Sequence, residues 1–459
     1  MHITASTLMK GIDSSTLLKG PFVPLYLSNL EFSNIRGFKN FSLSFDAGKK
    51  YRQWTIFIGD NGHGKTTILR AIAVGLGDEV TSSELLALLP GQFIRMNKKG
   101  VYAPSSEIKI ALKDSDTNQI VTITTELKLD EHGGVTVNKK VSEQAFKWSD
   151  IFICGYGSNR GIGGRMHSEY ALRNSLLTLF NDRAGLLEPE SILRDFALMA
   201  AQKGPGVEDP LRELKSSLWK LWDLNPNHDL QISAKQVVIH GPWGGMPFHA
   251  LGDGYRGTGS WLLDLMGNCI KAGRWDVKQR LSGIVLLDEM DEHLHPKWQK
   301  TLVPTLRRLL PNIQFVTTTH SPLAIVNTRP GEIFATRLKN AVAELVPDAL
   351  PSPDGRGANE LLLGEWFGLA STVDSSSEKL LQRYRKAFKE GDQTLMKELE
   401  PKIRQRIKMF LPSQLDNATQ NSLDEIQRSD VASLTASEEQ QLVQEAARKR
   451  IANLRKTRK

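Results

Sequence analysis

A glycine-rich segment followed by lysine and threonine is the part of this sequence best suited to chemistry. Residues 59–66 read Gly-Asp-Asn-Gly-His-Gly-Lys-Thr and fit the spacing G-x-x-x-x-G-K-[ST]. Glycines let backbone N–H groups turn towards phosphate oxygens, and a helix that begins at such a loop adds partial positive charge. The sequence therefore predicts a site for the phosphates of a nucleotide.

The neighbours of this loop occur in the order that phosphate binding requires. Residues 54–58 are apolar and predict a buried strand, and residues 67–73 have helical spacing. Lys65 is expected to reach the β- and γ-phosphates, and the Thr66 hydroxyl is expected to bind Mg²⁺. The residues predicted to contact ATP here are Gly59, Asp60, Asn61, Gly62, His63, Gly64, Lys65, Thr66 and Thr67. A chance glycine-rich turn is the weaker interpretation, because strand, loop and helix follow one another.

A second candidate segment places two acids at the end of an apolar run. Residues 283–287 are followed directly by Asp288 and Glu289. In phosphate-binding ATPases the first such acid holds Mg²⁺, usually through water, and the second can polarise the attacking water. A strand followed by a charged helix cap is the alternative, and the upstream loop makes it the weaker one.

A lone histidine ends the next apolar run of the chain. His320 follows residues 315–319, which read Phe-Val-Thr-Thr-Thr. At a strand end near a nucleotide, this imidazole could hydrogen-bond the γ-phosphate and the attacking water. Taken by itself, His320 could equally be a capping or core histidine.

The order of these segments resembles the ABC-type ATPases of the SMC, RecF and OLD group. After the phosphate loop come DEMDEHLHPKWQ at residues 288–299 and TTTHSP at residues 317–322. These two segments are most similar to the AAA ATPases of bacterial anti-phage defence, and among them to the ATPase subunit of Septu systems. The resemblance covers residues 25–330 in outline, and only its motifs are specific.

This resemblance implies a fold and a mode of assembly. The fold is an α/β P-loop NTPase of the ABC or SMC-head type, with an antiparallel β subdomain and a helical insertion at about residues 168–235. The assembly is an ATP-sandwiched dimer, with a higher oligomer left open, in which a signature motif reaches the partner's γ-phosphate. The candidate motif is residues 251–256, Leu-Gly-Asp-Gly-Tyr-Arg, in which Gly252, Asp253 and Gly254 would contact the nucleotide, and a helix is expected to follow it from residue 258. The family usually has serine in place of Gly252, so one hydroxyl contact is missing.

Three further positions are assigned by the resemblance alone. Arg36 lies where related ATPases carry an arginine facing the phosphates, and Asp291 where they carry an interface aspartate. Gln92 is assigned to the Mg²⁺-sensing loop. The complete set of predicted metal ligands is Thr66, Asp288 and Gln92, and the predicted catalytic residues are Glu289 and His320.

Two histidines beside the acidic segment raise the question of a transition-metal site. His293 and His295 lie just after Asp288, Glu289, Asp291 and Glu292. An i, i+2 pair diverges on a helix, whereas helical histidine ligands need i, i+4 spacing. The spacing therefore favours structural roles for both histidines over a dedicated metal site.

Composition bounds the class of protein and its compartment. The chain has 459 residues, of which 40% are hydrophobic and 24% charged, as is usual for water-soluble proteins with two or three lobes. No run approaches the ~18 apolar residues of a membrane span, and residues 1–10 do not resemble a secretory signal. Cys154 and Cys269 lack metal-type spacing and are expected to be buried, reduced thiols. We therefore expect a cytoplasmic protein without membrane contact.

The composition changes after the proline- and glycine-rich residues 351–357. Residues 1–350 are predicted to form the ATPase domain, and residues 351–459 a helical lobe that binds a partner or nucleic acid. Residues 446–459 carry seven basic residues and no acid, and the remainder of the chain has 52 basic against 51 acidic residues. Residues 438–459 are predicted as a helix that either docks its apolar stripe or contacts DNA or RNA phosphates.

The helical lobe lacks the residues of a nuclease centre. All ten histidines lie at or before His320, and no Asp-x-Asp ends a strand as in Toprim nucleases. Together with the resemblance, this predicts an ATPase that regulates a separate HNH-type nuclease in anti-phage defence. The alternative is a RecF-like DNA-repair clamp that binds DNA without a nuclease partner. The sequence leaves open the trigger and whether ATP activates or inhibits the partner.

Overall fold

The computed structural model describes residues 25–48, 50–89, 91–165, 169–202, 210–233, 236–273, 281–369 and 372–408. The chain divides into two units, Met1–Ala370 and Ser371–Lys459. This division lies downstream of the domain boundary predicted at residue 350. The predicted basic helix, residues 438–459, lies outside the described residues.

The first unit combines strands and helices, and the described part of the second is helical. The strands are β1 (Leu25–Ile35), β2 (Phe38–Ser44), β3 (Asp46–Ala47), β4 (Lys50–Tyr51), β5 (Trp54–Ile58), β6 (Ser106–Asp114), β7 (Ile120–Leu129), β8 (Val135–Val141), β9 (Ile153–Tyr156), β10 (Gly161–Arg165), β11 (Gly185–Leu187), β12 (Leu230–Ile232), β13 (Val237–Gly241), β14 (Gly244–Pro247), β15 (Ser282–Leu287), β16 (Asn312–Thr318), β17 (Ile333–Lys339) and β18 (Val342–Leu345). The helices of the first unit are α1 (Lys65–Leu76), α2 (Glu79–Ala87), α3 (Leu172–Leu176), α4 (Pro189–Gln202), α5 (Pro210–Leu221), α6 (Asp253–Lys271), α7 (Pro296–Leu309), α8 (Pro322–Ile325) and α9 (Ala358–Leu363). The second unit contains α10 (Ser375–Glu390) and α11 (Gln393–Lys408).

One eleven-stranded sheet runs through the first unit, in the order β8-β7-β6-β1-β2-β18-β17-β5-β16-β15-β9. Strands β17, β5, β16, β15 and β9 pair in parallel, and β8, β7, β6, β1 and β2 pair antiparallel. The parallel strands are continuous apolar runs because both faces are covered, whereas β6 alternates because one face is buried. The predicted α/β fold with an antiparallel β subdomain is confirmed.

The parallel strands separate two apolar cores. Because successive side chains of a strand point to opposite faces, Phe57 of β5 contributes to one core and Ile56 and Ile58 to the other. Helix α1 packs in the core that contains Phe57, while α6 and α7 pack in the core that contains Ile56. The sheet therefore holds the helix of the phosphate loop on one face and the helix of the signature segment on the opposite face.

A buried lysine joins the antiparallel subdomain to the end of α1. The ammonium group of Lys139, on β8, donates to the carbonyl oxygens of Val74 at 2.7 Å and Gly75 at 3.1 Å. It also donates to the Thr125 hydroxyl at 2.9 Å, and burial lowers the pKa of Lys139 to about 7. The last carbonyls of a helix have no partner within the helix, so Lys139 supplies donors where α1 needs them.

A buried carboxylate ties α6 to the sheet. Asp264, on α6, accepts hydrogen bonds from the Tyr156 hydroxyl at 2.9 Å, the Leu187 N–H at 2.7 Å and the Asn268 side-chain amide at 2.8 Å. These donors lie on β9, β11 and α6 itself. Because a buried polar group is stable only when its partners are present, this network fixes the position of α6 against β9.

Two local predictions differ from the structure. Residues 168–235 were expected to be mostly helical, but they also contain β11, which pairs in parallel with β10. Helix α6 begins at Asp253, whereas the sequence predicts a start at residue 258. The early turns contain glycines of low helix propensity, yet a Cβ on Gly254 would lie 3.2 Å from the Trp298 ring. Close packing against Trp298 therefore outweighs propensity here.

The last described residues of the first unit, 358–369, pack against the core of that unit. Leu361 and Trp366 are buried in the core beneath α6 and α7, and the Trp366 indole N–H donates to the Pro351 carbonyl at 3.1 Å. In the second unit, α10 and α11 pack against each other, and Asp374 caps the N-terminus of α10. No helix in the described part of the chain is both long and apolar enough to cross a membrane.

Candidate functional site

The phosphate-binding loop connects β5 to α1 and depends on its glycines. Gly59, Gly62 and Gly64 have φ angles of 143°, 80° and 87°, which side chains disfavour. A Cβ on Gly64 would lie 2.3 Å from the Phe38 ring, and one on Gly59 would lie 2.5 Å from the Thr336 carbonyl oxygen. The loop is therefore enclosed between β2 and β17, and its path requires glycine at both ends.

Lys65 is the first residue of α1 and lies inside the loop. Its ammonium group donates to the carbonyl oxygens of Gly59 at 2.7 Å and Asp60 at 3.1 Å, and the residue is 6% exposed. Burial lowers the pKa of Lys65, and the neighbouring acids Asp288 and Glu289 act in the opposite direction. A cation is thus held where the P-loop spacing places phosphate oxygens.

Two hydroxyl groups converge on one buried carboxylate. The Thr66 hydroxyl donates to Asp288 Oδ2 at 2.7 Å, and the Thr318 hydroxyl donates to Asp288 Oδ1 at 2.6 Å. Asp288 follows β15 and is 5% exposed. A carboxylate and a hydroxyl oxygen are ligands that Mg²⁺ prefers. The predicted metal ligands Thr66 and Asp288 therefore lie together, although they belong to distant parts of the sequence.

Glu289 has an unusual backbone conformation beside this pair. Its φ is 45°, and its N–H donates to the Thr318 hydroxyl at 2.8 Å. Burial raises the pKa of Glu289, and the neighbouring carboxylates of Asp288, Glu292 and Asp291 raise it further. A carboxylate with a raised pKa is a better proton acceptor than an ordinary glutamate.

His320 lies at the end of the strand next to β15. Burial lowers the pKa of His320, and the charge of Lys65 lowers it further. The imidazole is therefore neutral near pH 7 and can both donate and accept a hydrogen bond. The hydroxyl of the preceding Thr319 donates to the Asp291 carboxylate and thereby orients the Asp291 side chain.

The signature segment forms the start of α6. Gly252 is the N-cap, and it and Asp253 are exposed at the N-terminus of a 19-residue helix. A Cβ on Gly254 would lie 3.2 Å from both the His293 carbonyl oxygen and the Trp298 ring. The helix therefore begins against the segment that follows Glu289. Its N-terminus suits an anion because helix dipoles and unpaired N–H groups favour negative charge.

Gln92 and Arg36, two further predicted residues, contact other parts of the structure. The side-chain amide of Gln92 donates to the Gly133 carbonyl in the β7–β8 turn, so the structure does not group it with Thr66. Arg36 lies in the β1–β2 turn with its guanidinium 5.7 Å from the centre of the Phe93 ring, and burial lowers its pKa. The metal role of Gln92 and the phosphate role of Arg36 stay predictions.

The remaining loop residues differ in exposure. Asp60 and Asn61 are exposed, and Thr67 is buried on α1. The Nδ1 atom of His63 lies 3.2 Å from the Asp60 amide nitrogen and 3.1 Å from the Thr336 carbonyl oxygen. Because His63 is engaged with the loop and with β17, its side chain helps to shape the loop.

The histidines of the acidic segment have structural partners. His293 Nε2 lies 3.7 Å from Glu292, and His295 caps α7 by accepting from the Lys297 N–H at 3.3 Å. In the part of the chain that the structure describes, no three His, Cys, Asp or Glu side chains form a metal-binding group. Thr66 and Asp288 supply two protein oxygens, a number typical of a Mg²⁺ ion whose other ligands are phosphate oxygens and water.

Two residues of the site were missed by sequence reasoning. Thr318 pairs with Asp288, and the Arg160 guanidinium donates from Nη2 to the carbonyl oxygens of Asp288 and Glu289, both at 2.6 Å. Arg160 follows β9, which pairs with β15. Its position after a buried strand is a usable signal, because ligand sites lie at the carboxyl ends of parallel strands.

Two family models match the parts of the chain that contain this site. The model of the "AAA domain, putative AbiEii toxin, Type IV TA system" family matches residues 244–327, and an "AAA domain" model matches residues 29–153. The first range contains the signature segment, the acidic pair and His320, and the second contains the phosphate loop. The motifs identified in the sequence therefore lie within the two matched ranges.

Individual proteins show the same similarity. The "Septu protein PtuA" of Bacillus mycoides (strain KBAB4) is 27% identical over 363 residues, which cover 78% of this chain and 47% of that protein. The "Retron Ec83 probable ATPase" of Escherichia coli is 58% identical over 106 residues, covering 23% of this chain and 18% of that protein. The "Crystal structure of the SmcHead bound to the C-winged helix domain of ScpA" is 15% identical, with a TM-score of 0.45, and covers 70% of this chain and 97% of that one.

The chain spans about half the length of the first of these relatives. The predicted resemblance to ABC-type ATPases of Septu defence is confirmed by the sequence match.

Proposed function

We propose that this chain binds and hydrolyses ATP, dimerises around it and regulates a separate nuclease in anti-phage defence. The ATPase function is supported by the hydroxyl groups of Thr66 and Thr318, which both donate to the Asp288 carboxylate. Lys65 and Glu289 lie beside this carboxylate. Similarity to Septu and retron ATPases supports the defence role. The nuclease partner and the dimer are proposals that rest on these relatives.

The hydrolytic step follows from the placement of the side chains. Loop N–H groups and the Lys65 ammonium bind the β- and γ-phosphates, and Thr66 and Asp288 would hold Mg²⁺, which neutralises phosphate charge. Glu289 accepts a proton from the attacking water, helped by its raised pKa. Neutral His320 donates a hydrogen bond to the γ-phosphate. Each role uses a group that the fold already holds near Asp288.

The dimer proposal gives a test at the position that departs from the family. Gly252 has φ −60° and ψ 152°, and a Cβ there would meet only the Tyr255 ring, at 3.9 Å. Gly252→Ser should therefore fold normally and add a hydroxyl that can contact the partner's γ-phosphate. We expect ATP-dependent dimerisation to tighten by about tenfold, as one hydrogen bond to a charged group provides. Sedimentation velocity with ATP, in a Glu289→Gln background, measures the dimer Kd.

The matched control for this substitution lies on the same helix. A Cβ on Gly257 meets nothing within 4 Å, so Gly257→Ser adds the same hydroxyl away from the N-cap. We expect its dimer Kd to equal that of the parent. An unchanged Kd in Gly252→Ser would remove this position from the interface.

The partner is identified by purification of the chain from its native host and mass spectrometry of co-eluting proteins. A nuclease in stoichiometric amount is expected, because regulation of a separate enzyme requires a stable or ATP-dependent contact. Recovery of the chain alone, or only with DNA, would contradict the nuclease partner and favour a RecF-like clamp. Contact of residues 438–459 with DNA or RNA remains a proposal, since this segment lies outside the described residues.

A further inference from the structure

Arg160 bridges the backbone of the acidic segment to the neighbouring strand. It lies in the loop that joins β9 to β10, and its Nη2 atom is 2.6 Å from both the Asp288 and Glu289 carbonyl oxygens. Its Nε atom donates to the Gly157 carbonyl at 3.0 Å, at the end of β9. The Asp288 N–H donates to the Tyr156 carbonyl at 2.8 Å, so β9 and its loop hold both sides of this turn.

The turn that Arg160 holds is strained at Glu289. A φ of 45° is uncommon for a residue with a side chain, because such a conformation is strained. It persists only when surrounding contacts determine it. The Thr318 hydroxyl accepts a hydrogen bond from the Glu289 N–H, and the Thr318 carbonyl accepts one from the Met290 N–H at 3.0 Å. Arg160 donates to the carbonyl oxygens of Asp288 and Glu289. Arg160 is the only side chain among these contacts that donates to the carbonyls of the turn.

Charge gives Arg160 a second effect on the same segment. Four carboxylates act on its guanidinium, and in order of strength they belong to Glu292, Asp288, Asp291 and Glu289. Carboxylates packed so closely repel one another, and a nearby cation reduces that repulsion. Alanine at this position would remove the Arg160 hydrogen bonds to both carbonyls and the cation near the acids, and would leave the Glu292 N–H as the backbone donor to the Glu289 carbonyl.

We propose that Arg160 is a positioning residue for ATP hydrolysis, which holds the Asp288–Glu289 backbone so that the Glu289 carboxylate faces the attacking water. Arg160 acts through the backbone carbonyls of these two residues. The proposal rests on the ATPase function proposed above. It predicts a defect in turnover rather than in ATP binding.

Arg160→Ala is expected to lower kcat by about 100-fold, since displacement of a catalytic group by about 1 Å has that effect. ATP affinity should stay within about threefold, because Lys65 and the loop are unchanged. Hydrogen–deuterium exchange of the segment 288–292, measured without nucleotide, should be faster in the variant. Arg160→Lys should recover part of kcat and of the protection, because an ammonium group can donate to both carbonyls.

Arg194→Ala is the matched control. Arg194 lies on α4, where it pairs with Glu190 at 2.9 Å and donates to the Ser233 carbonyl at 3.3 Å. This variant should keep wild-type kcat and wild-type exchange in the segment 288–292. It therefore separates loss of an arginine contact in general from loss of this one.

Unchanged exchange in Arg160→Ala, or a kcat within twofold of wild type, overturns the proposal. A loss of ATP affinity as large as the loss of kcat overturns it too, because that indicates a general defect. If the wild-type protein hydrolyses no ATP, the ATPase function fails, and the exchange experiment alone still decides whether Arg160 holds the turn.

Discussion

Replacement of Glu289 by glutamine is expected to slow ATP hydrolysis by about 100-fold while ATP still binds, as loss of a general base does. Glutamine keeps the shape of the side chain but cannot accept the proton of the attacking water. The backbone of residue 289 is held by Thr318 and Arg160, so the substitution should leave the turn intact. Phosphate release gives kcat, and equilibrium titration with ATP gives the Kd.

A neighbouring carboxylate provides the control for this result. Glu292→Gln removes an acid from the same segment, whose carboxylate lies 3.7 Å from His293. Its effect on Glu289 is electrostatic, so we expect kcat to stay within about fivefold of wild type. Undiminished turnover in Glu289→Gln would exclude Glu289 as the base, and equal losses in both variants would indicate a general charge effect.

Lys65→Ala is expected to weaken ATP binding by about 100-fold or more, because charge-assisted hydrogen bonds to phosphate are strong. The ammonium group lies inside the loop, bound to the Gly59 and Asp60 carbonyls, where the loop would hold the phosphates. Isothermal titration with Mg²⁺ and ATP measures the effect. Unchanged affinity would count against the whole nucleotide site.

Since Lys65 is buried, a loss of folding must be separated from a loss of binding. Lys65→Met keeps the apolar stem and removes only the charge, so it should retain thermal stability better than Lys65→Ala and bind ATP as poorly. Lys297→Ala removes a surface lysine that pairs with Asp223, and it should change neither property. Weak ATP binding by all three variants would show that the effect is not specific to the loop.

The nucleotide loop could be predicted because its information is local. Residues 59–66 carry both the glycines that permit the backbone path and the side chains that we propose to bind phosphate and metal. The apolar runs on either side are contiguous, and their burial in the structure follows from their composition. Asp288, Glu289 and His320 could be proposed for the same reason, since each directly follows an apolar strand.

The start of α6 could not be predicted from local residues. The helix was expected from residue 258, but it begins at Asp253. Helix propensity disfavours the glycines of the first turns, while a Cβ on Gly254 would lie 3.2 Å from both the His293 carbonyl oxygen and the Trp298 ring. A tertiary contact therefore decided where this helix begins. Gln92 and Arg36 were assigned by resemblance alone, and their roles stay predictions.

The sequence by itself determined the phosphate loop, the order of strands and helices around it, and the chemical types at the centre of the site. The tertiary structure alone decided that Thr318 pairs with Asp288, that Lys139 completes α1 and that Arg160 holds the carbonyls of Asp288 and Glu289. For Lys139 and Arg160 the physical reason is that the acceptors are backbone carbonyls. These are the same in every residue, so a side chain that binds them across 64 or more residues leaves no pattern in the sequence.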